Sequence, residues 1–133
     1  MLKFRLANID DLDIYFKWAN DDLVRKQSFN TKTISIIEHQ KWFKQKLKDE
    51  NCILLIFDNI GQVRFEMTTN LESVINISID NSKRGMGLGY QMLNISTTYF
   101  HEKFPKTLIN AYIKFENKAS TKIFEKANFT FKG

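Results

Sequence analysis

Three glycines fall within the six residues Arg84-Gly85-Met86-Gly87-Leu88-Gly89, between a stretch that alternates like a strand and one with the period of a helix. Without a Cβ, such a turn can take positive φ and let a ligand lie against the backbone. The first amides of the helix that follows have no intrahelical acceptor, and its dipole favours negative charge there. Lys83 and Arg84 add mobile positive charge. The physical product is a cradle for two linked phosphates. It is not a P-loop, since no Gly-Lys-Ser/Thr ends it. It fits a dinucleotide fold poorly, because it follows roughly the fourth strand, not the first. A tight strand-to-helix turn without a ligand is the competing reading.

The elements around the turn follow from periodicity. Lys3 to Ala7 reads as a strand, and Asp10 caps a helix carrying Leu12, Phe16 and Ala19 to about Asn20. Asp21 to Thr33 is a connection that covers something. Ser35-Ile36-Ile37-Glu38 is a capping box opening a second helix, with Ile36, Phe43 and Leu47 on its apolar face and Trp42 beside it. Cys52 to Phe57 is a buried strand, Asp58-Asn59-Ile60-Gly61 a turn, and Gln62 to Thr68 the returning strand. Val74 to Asp80 is a further strand. Gly89 to about Lys103 is a helix with Leu88, Met92, Ile95 and Tyr99 on one stripe. Leu108 to Phe115 is a strand, Lys118 to Ala127 a helix, and Phe129 to Phe131 a last strand.

The order β-α-α-β-β-β-α-β-α-β predicts an α/β fold, a mixed central sheet of about six strands with helices on both faces. The β-α-β unit around the glycines should be parallel and right-handed. At 133 residues, 43% of them hydrophobic, residues 1–133 form one domain with a real core.

The single Cys52 cannot form an internal disulfide and suits a reducing cytoplasm. It reads more readily as a small buried hydrophobe than as a nucleophile. No apolar run is long enough for a membrane span, and the N-terminus lacks the features of a signal peptide, so an intracellular protein is expected. The net charge of +5 favours anionic partners, but the charges are interspersed, which argues against a nucleic-acid tail. A cofactor and substrate carrying several phosphates account for the excess equally well.

The run Arg84 to Gly89 resembles the pyrophosphate signature Gln/Arg-x-x-Gly-x-Gly/Ala of the GNAT N-acetyltransferases. Asn117-Lys118-Ala119-Ser120 and Ile123-Phe124-Glu125-Lys126-Ala127-Asn128-Phe129 resemble that family's second stretch, in the family's order and separation. The resemblance implies acetyl-CoA as acyl donor, with no metal. It implies that Arg84, Gly85, Met86, Gly87, Leu88 and Gly89 bind the diphosphate, that the backbone of Ile77, Ser78 and Ile79 binds the pantetheine arm, and that Asn117 serves binding and catalysis. Phe124 stands where many relatives have an acidic tyrosine, so it cannot donate a proton. Asn128 stands where the family has glycine and can still take a left-handed conformation. Many relatives continue beyond the position of Gly133 into a hairpin. The chain is then either a short member or one whose site another chain completes, as a monomer or a homodimer.

Within the family, the N-terminal half is similar to acetyltransferases acting on amino-sugar nucleotides. The residues concerned are Trp18-Ala19-Asn20-Asp21, Arg25, Ser28-Phe29-Asn30-Thr31, Ile34-Ser35, Glu38-His39 and Trp42-Phe43. This implies that Ser28, Phe29 and Trp42 line the acceptor pocket, with His39 and Arg64 towards a nucleotide diphosphate. Core packing is the alternative for Phe29 and Trp42, and a solvent-facing helix position for His39. Glu66 shares a strand face with Arg64. It is the best candidate base for a primary amine attacking a thioester, or else simply a partner for Arg64. Other amines as acceptor, such as a protein N-terminus, and coenzyme A binding without catalysis are the competing functions.

Overall fold

The computed structural model describes residues 2–132, and its sheet has five strands. They are β1 (Arg5–Leu6), β2 (Cys52–Phe57), β3 (Gly61–Met67), β4 (Glu72–Ile79) and β5 (Leu108–Asn110), in the spatial order β1-β2-β3-β4-β5. The first four pair antiparallel and β5 joins β4 parallel. The helices are α1 (Leu12–Ala19), α2 (Asp22–Gln27), α3 (Ile36–Lys48), α4 (Leu88–Lys103) and α5 (Lys118–Lys126).

Alternation sorts the strands onto two faces. One presents Leu55, Phe57, Val63, Phe65 and Ile75 to Met92, Leu93 and Phe100 of α4 and Phe124 of α5. On the other, Leu54 and Ile56 of β2 pack under Tyr15 and Trp18 of α1 and Phe43 of α3. This second face changes character across the sheet. Register places Gln62 opposite Ile56 and Ser78, and Arg64 opposite Leu54 and Asn76. It is apolar on β2 and polar on β3 and β4.

Several sequence expectations need correction. Asn8, not Asp10, caps the N-terminal turn, a 3-10 turn at Ile9–Asp11 that leads into α1; Asp11 answers by accepting from the Asn8 amide. The connection after Asp21 contains α2, whose first amides Asp21 caps. The buried stripe of α4 is Gly89, Met92, Leu93, Ser96 and Phe100, not the one through Leu88, Ile95 and Tyr99. Gly89 sets that rotation: a Cβ there would lie 2.9 Å from both Ile79 Cδ1 and Ile123 Cδ1, so the helix packs glycine-side down.

The sixth strand, expected at Phe129 to Phe131, is not formed. Asn128 has φ +70°, the Phe129 amide donates to Phe124 O and the Asn128 amide to Glu125 O, which closes α5 in a Schellman motif. The Phe129 ring meets Phe124 edge-on at 4.9 Å, the apolar contact that accompanies such a cap.

Strand β5 is also shorter than the expected Leu108 to Phe115. Its pairing with β4 stops at Val74 and Asn110. Beyond that point the two strands part, and Ile75 to Ile79 of β4 keep an unpaired edge on that side.

Candidate functional site

The glycine-rich turn joins the end of β4 to α4. Gly85 and Gly87 have φ of +76° and +75°, and the space where each would carry a Cβ is open. Gly87 is the N-cap of α4 and supplies no side chain to it. Among the described residues the amides of Arg84, Gly85, Met86 and Gly87 find no backbone acceptor. Left-handed turns of this kind, followed by a helix N-terminus, form an anion-binding concavity. The residues therefore fit a diphosphate. The turn is braced from behind by Asp80, which accepts from Trp18 Nε1 at 2.9 Å and from the Ser82 amide at 3.0 Å. Hydrogen bonds from the Ser82 hydroxyl and Trp18 hold the Asp80 carboxyl well below the usual carboxylate range.

A cavity of about 340 Å³ lies on the polar half of the second sheet face. Gln62, Arg64, Asn76 and Ser78 form its floor, α1 and α3 its wall, and Val24, Arg25 and Ser28 of the α2 segment its roof. Asn76 and Ser78 belong to two places at once. Their side chains line the cavity, while their backbone lies on the stretch of β4 that β5 has left. A group held along that edge is one strand's thickness from the cavity.

The electrostatics are cationic. Arg25 donates to the Asn30 and Lys32 carbonyls and to Ser28 Oγ, and among the described residues it has no carboxylate partner. Desolvation holds its guanidinium below the usual arginine range, the mark of a cation without a counter-ion. The Arg64 guanidinium lies 4.9 Å from the Trp42 ring centre, a cation–π contact at the cavity wall. Glu38 is the carboxylate among the lining residues, and it accepts from the Ser35 hydroxyl at 3.0 Å.

Of the residues singled out in sequence, Ser28, His39, Trp42 and Arg64 meet around this cavity. Phe29 does not. It is 71% exposed, neither in the pocket nor in the core, because α2 ends at Gln27 and the chain turns outward there. His39 is buried, not solvent-facing. Its Nε2 donates to Leu12 O at 3.0 Å and its ring stacks on Trp42 and Phe43. Burial lowers its pKa below the usual imidazole range, against the opposing effect of the Leu12 carbonyl.

Glu66 lies on the expected face but outside the lining. It pairs with Lys46 Nζ at 2.9 Å and Arg64 Nε at 3.5 Å, opposite Val74, where β4 and β5 separate. Arg84 turns from the glycine loop to Asp21. Asn117 caps α5 by accepting from the Ser120 amide at 3.2 Å. Cys52 is half-buried, and burial pushes its thiol up to about 11, which makes it a poor nucleophile. Sequence reasoning missed Gln62 and Asn76, although a Gln, an Arg and an Asn at inward positions of adjacent strands were visible in the alternation.

Among the described residues, no group of three His, Cys, Asp or Glu could hold a metal ion, and no helix is long and apolar enough to cross a membrane.

Residues 1–130 match the family described as acetyltransferase (GNAT) domain. The acetyltransferase PseH of Campylobacter jejuni is 23% identical over 96% of this chain and 82% of its own length. Spermidine N-acetyltransferase of Vibrio cholerae, solved with CoA and spermine, superposes with a TM-score of 0.90 at 17% identity, over 99% of this chain and 82% of that one. Ribosomal-protein-alanine N-acetyltransferase of Brucella melitensis gives a TM-score of 0.82 at 17% identity, over 99% and 86%. At such identities the likeness of the solved structures shows the fold alone.

Proposed function

We propose that this chain, which belongs to the acetyltransferase (GNAT) family, transfers the acetyl group of acetyl-CoA to the primary amine of an amino-deoxysugar nucleotide. The observation that carries the acceptor class is the charge of the cavity. Among the described residues Arg25 lacks a carboxylate partner, Arg64 lies against Trp42 and shares Glu66 with Lys46, and Glu38 is the carboxylate of the lining. A polyamine such as spermidine would bring several positive charges against two arginines. A nucleotide sugar brings phosphates for the arginines and a flat base for the tryptophan. The similarity to PseH supports the same reading.

Acetyl-CoA, held by this chain, supplies the activated thioester. The amides of residues 84 to 89 hold its diphosphate, and the open β4 edge at Ile77, Ser78 and Ile79 holds its pantetheine arm. Asn117 contributes its side-chain Nδ2, which has no other partner among the described residues. Transfer is direct, in a ternary complex: the neutral amine nitrogen attacks the thioester carbonyl, the C–S bond breaks, and the proton the nitrogen gives up on becoming an amide passes through water to the departing thiolate. Positioning supplies much of the rate, and a backbone N–H of the Ile77 to Ile79 stretch donates to the developing oxyanion. Glu66, one-third exposed to solvent, receives the proton of the arriving ammonium by way of water.

The test is turnover of acetyl-CoA against a panel containing an amino-deoxysugar nucleotide, spermidine and an alanine-terminated peptide. The reading predicts the highest kcat/KM for the sugar nucleotide. Turnover of the polyamine or the peptide alone would overturn it.

A further inference from the structure

The cavity floor carries a polar group left half-satisfied by the protein. Gln62 is 4% exposed and lies on β3 directly opposite Ser78. Its Nε2 donates to Asn76 Oδ1 at 2.9 Å and to Ser78 Oγ at 3.0 Å, which fixes the side chain against β4. Its Oε1 is buried and has no partner among the described residues. Turning the amide over does not remove the difficulty: Oε1 would then meet Asn76 and Ser78, and Nε2 would be the atom left alone. A buried polar atom without a partner opposes folding, so it persists where a water molecule or a ligand completes it.

We infer that Gln62 orients the acceptor amine, with Oε1 accepting a hydrogen bond from the amine N–H. Three observations place the amine here. Gln62 lines the acceptor cavity. Both of its fixed partners, Asn76 and Ser78, stand on the part of β4 whose other edge is open. In the orientation the structure gives the amide, its unfilled atom is an acceptor, matching a donor ligand, while the phosphate-seeking arginines Arg25 and Arg64 are donors only. An amine held by Oε1 lies beside the strand along which the thioester arm runs. The amide oxygen takes no proton; it restricts the amine's direction of approach, leaving the nitrogen lone pair to attack. This inference rests on the acetyl-transfer reading but concerns the amine, not the sugar, so it holds for whichever amine the panel identifies.

Three variants test it, with the best amine of the panel as acceptor and coenzyme A affinity measured separately by calorimetry. Gln62→Met keeps the length of the side chain and removes both polar atoms. It should lower kcat/KM for the amine about 10- to 100-fold, the factor expected for one lost buried hydrogen bond, with coenzyme A affinity unchanged. Gln62→Glu keeps an acceptor oxygen at the free position, and Asn76 and Ser78 can both turn to donate to the other oxygen. It should recover activity to within about fivefold of the parent. An effect of Gln62→Met under twofold, a Gln62→Glu variant as poor as Gln62→Met, or a parallel loss of coenzyme A affinity would each overturn the inference. Should Gln62→Met not fold, Asn76→Ala decides, since it frees the amide to swing: a raised acceptor KM supports the inference and an unchanged one refutes it.

Discussion

Arg84 Nη2 lies 2.7 Å from Asp21 Oδ1, which ties the glycine-rich turn to the N-terminus of the helix that roofs the cavity on the second sheet face. Asp21 also accepts from the amides of Leu23 and Val24, so one carboxylate serves as helix cap and as anchor. Together the cap and the ion pair hold its pKa down against the opposing effect of burial. The glycine-rich turn and the cavity roof thus share a side-chain contact. Asp21→Ala should cost roughly 1 kcal/mol through the lost cap and loosen α2. In steady-state kinetics its acceptor KM should rise more than its acetyl-CoA KM. A double-mutant cycle with Arg84→Ala should be non-additive by about 0.5 kcal/mol or more.

Gly87 and Gly89 should fail differently when replaced by alanine. At Gly87 the Cβ meets nothing, and the cost is the left-handed backbone, about 1–2 kcal/mol. Relieving that strain redirects the loop amides, so coenzyme A affinity should fall about tenfold or more by calorimetry. At Gly89 the added methyl presses on the ends of two flexible isoleucines, and the loss should show in thermal unfolding, about 1–3 kcal/mol.

Asp80 sets an acid limit. Its folded pKa lies below that of the unfolded chain, so its stabilisation is fully present above the unfolded value of about 4 and is lost as pH falls towards the folded value. In urea titrations, the stability gap between the parent and Asp80→Asn should be constant from pH 5 to 8 and shrink steadily below pH 4. A gap that does not change with pH would show that the carboxylate charge contributes nothing.

Glu66→Gln keeps the shape and removes the proton acceptor. If Glu66 receives the ammonium proton, kcat should fall about 100-fold while the affinity for coenzyme A is retained. The deficit should narrow as pH rises and more of the amine arrives already neutral.

Much of this was legible in the chain. The glycine turn, β2 and the start of α3 at Ser35 were placed correctly because their signals are local: missing side chains, a continuous apolar run, a capping serine. The early end of β5 was not legible, since Ile109, Ala111 and Ile113 alternate well enough for a longer strand and only the tertiary parting from β4 stops it. The absent sixth strand failed for a related reason. Phe129 alternates like a strand residue, yet the left-handed Asn128 folds it back onto Phe124. The cavity residues from α2 and α3 were found through the family likeness. Gln62 and Asn76 acquire meaning from their cross-strand register, which a single sequence does not display.

The central claim is that the backbone of residues 84 to 89 grips the diphosphate of coenzyme A. Calorimetric titration with coenzyme A and, separately, with pantetheine tests it most directly. The account predicts saturable binding of coenzyme A, weakened in Gly87→Ala, and far weaker binding of pantetheine, which has no diphosphate. Equal affinity for the two ligands, or no heat with coenzyme A at millimolar concentration, would contradict it.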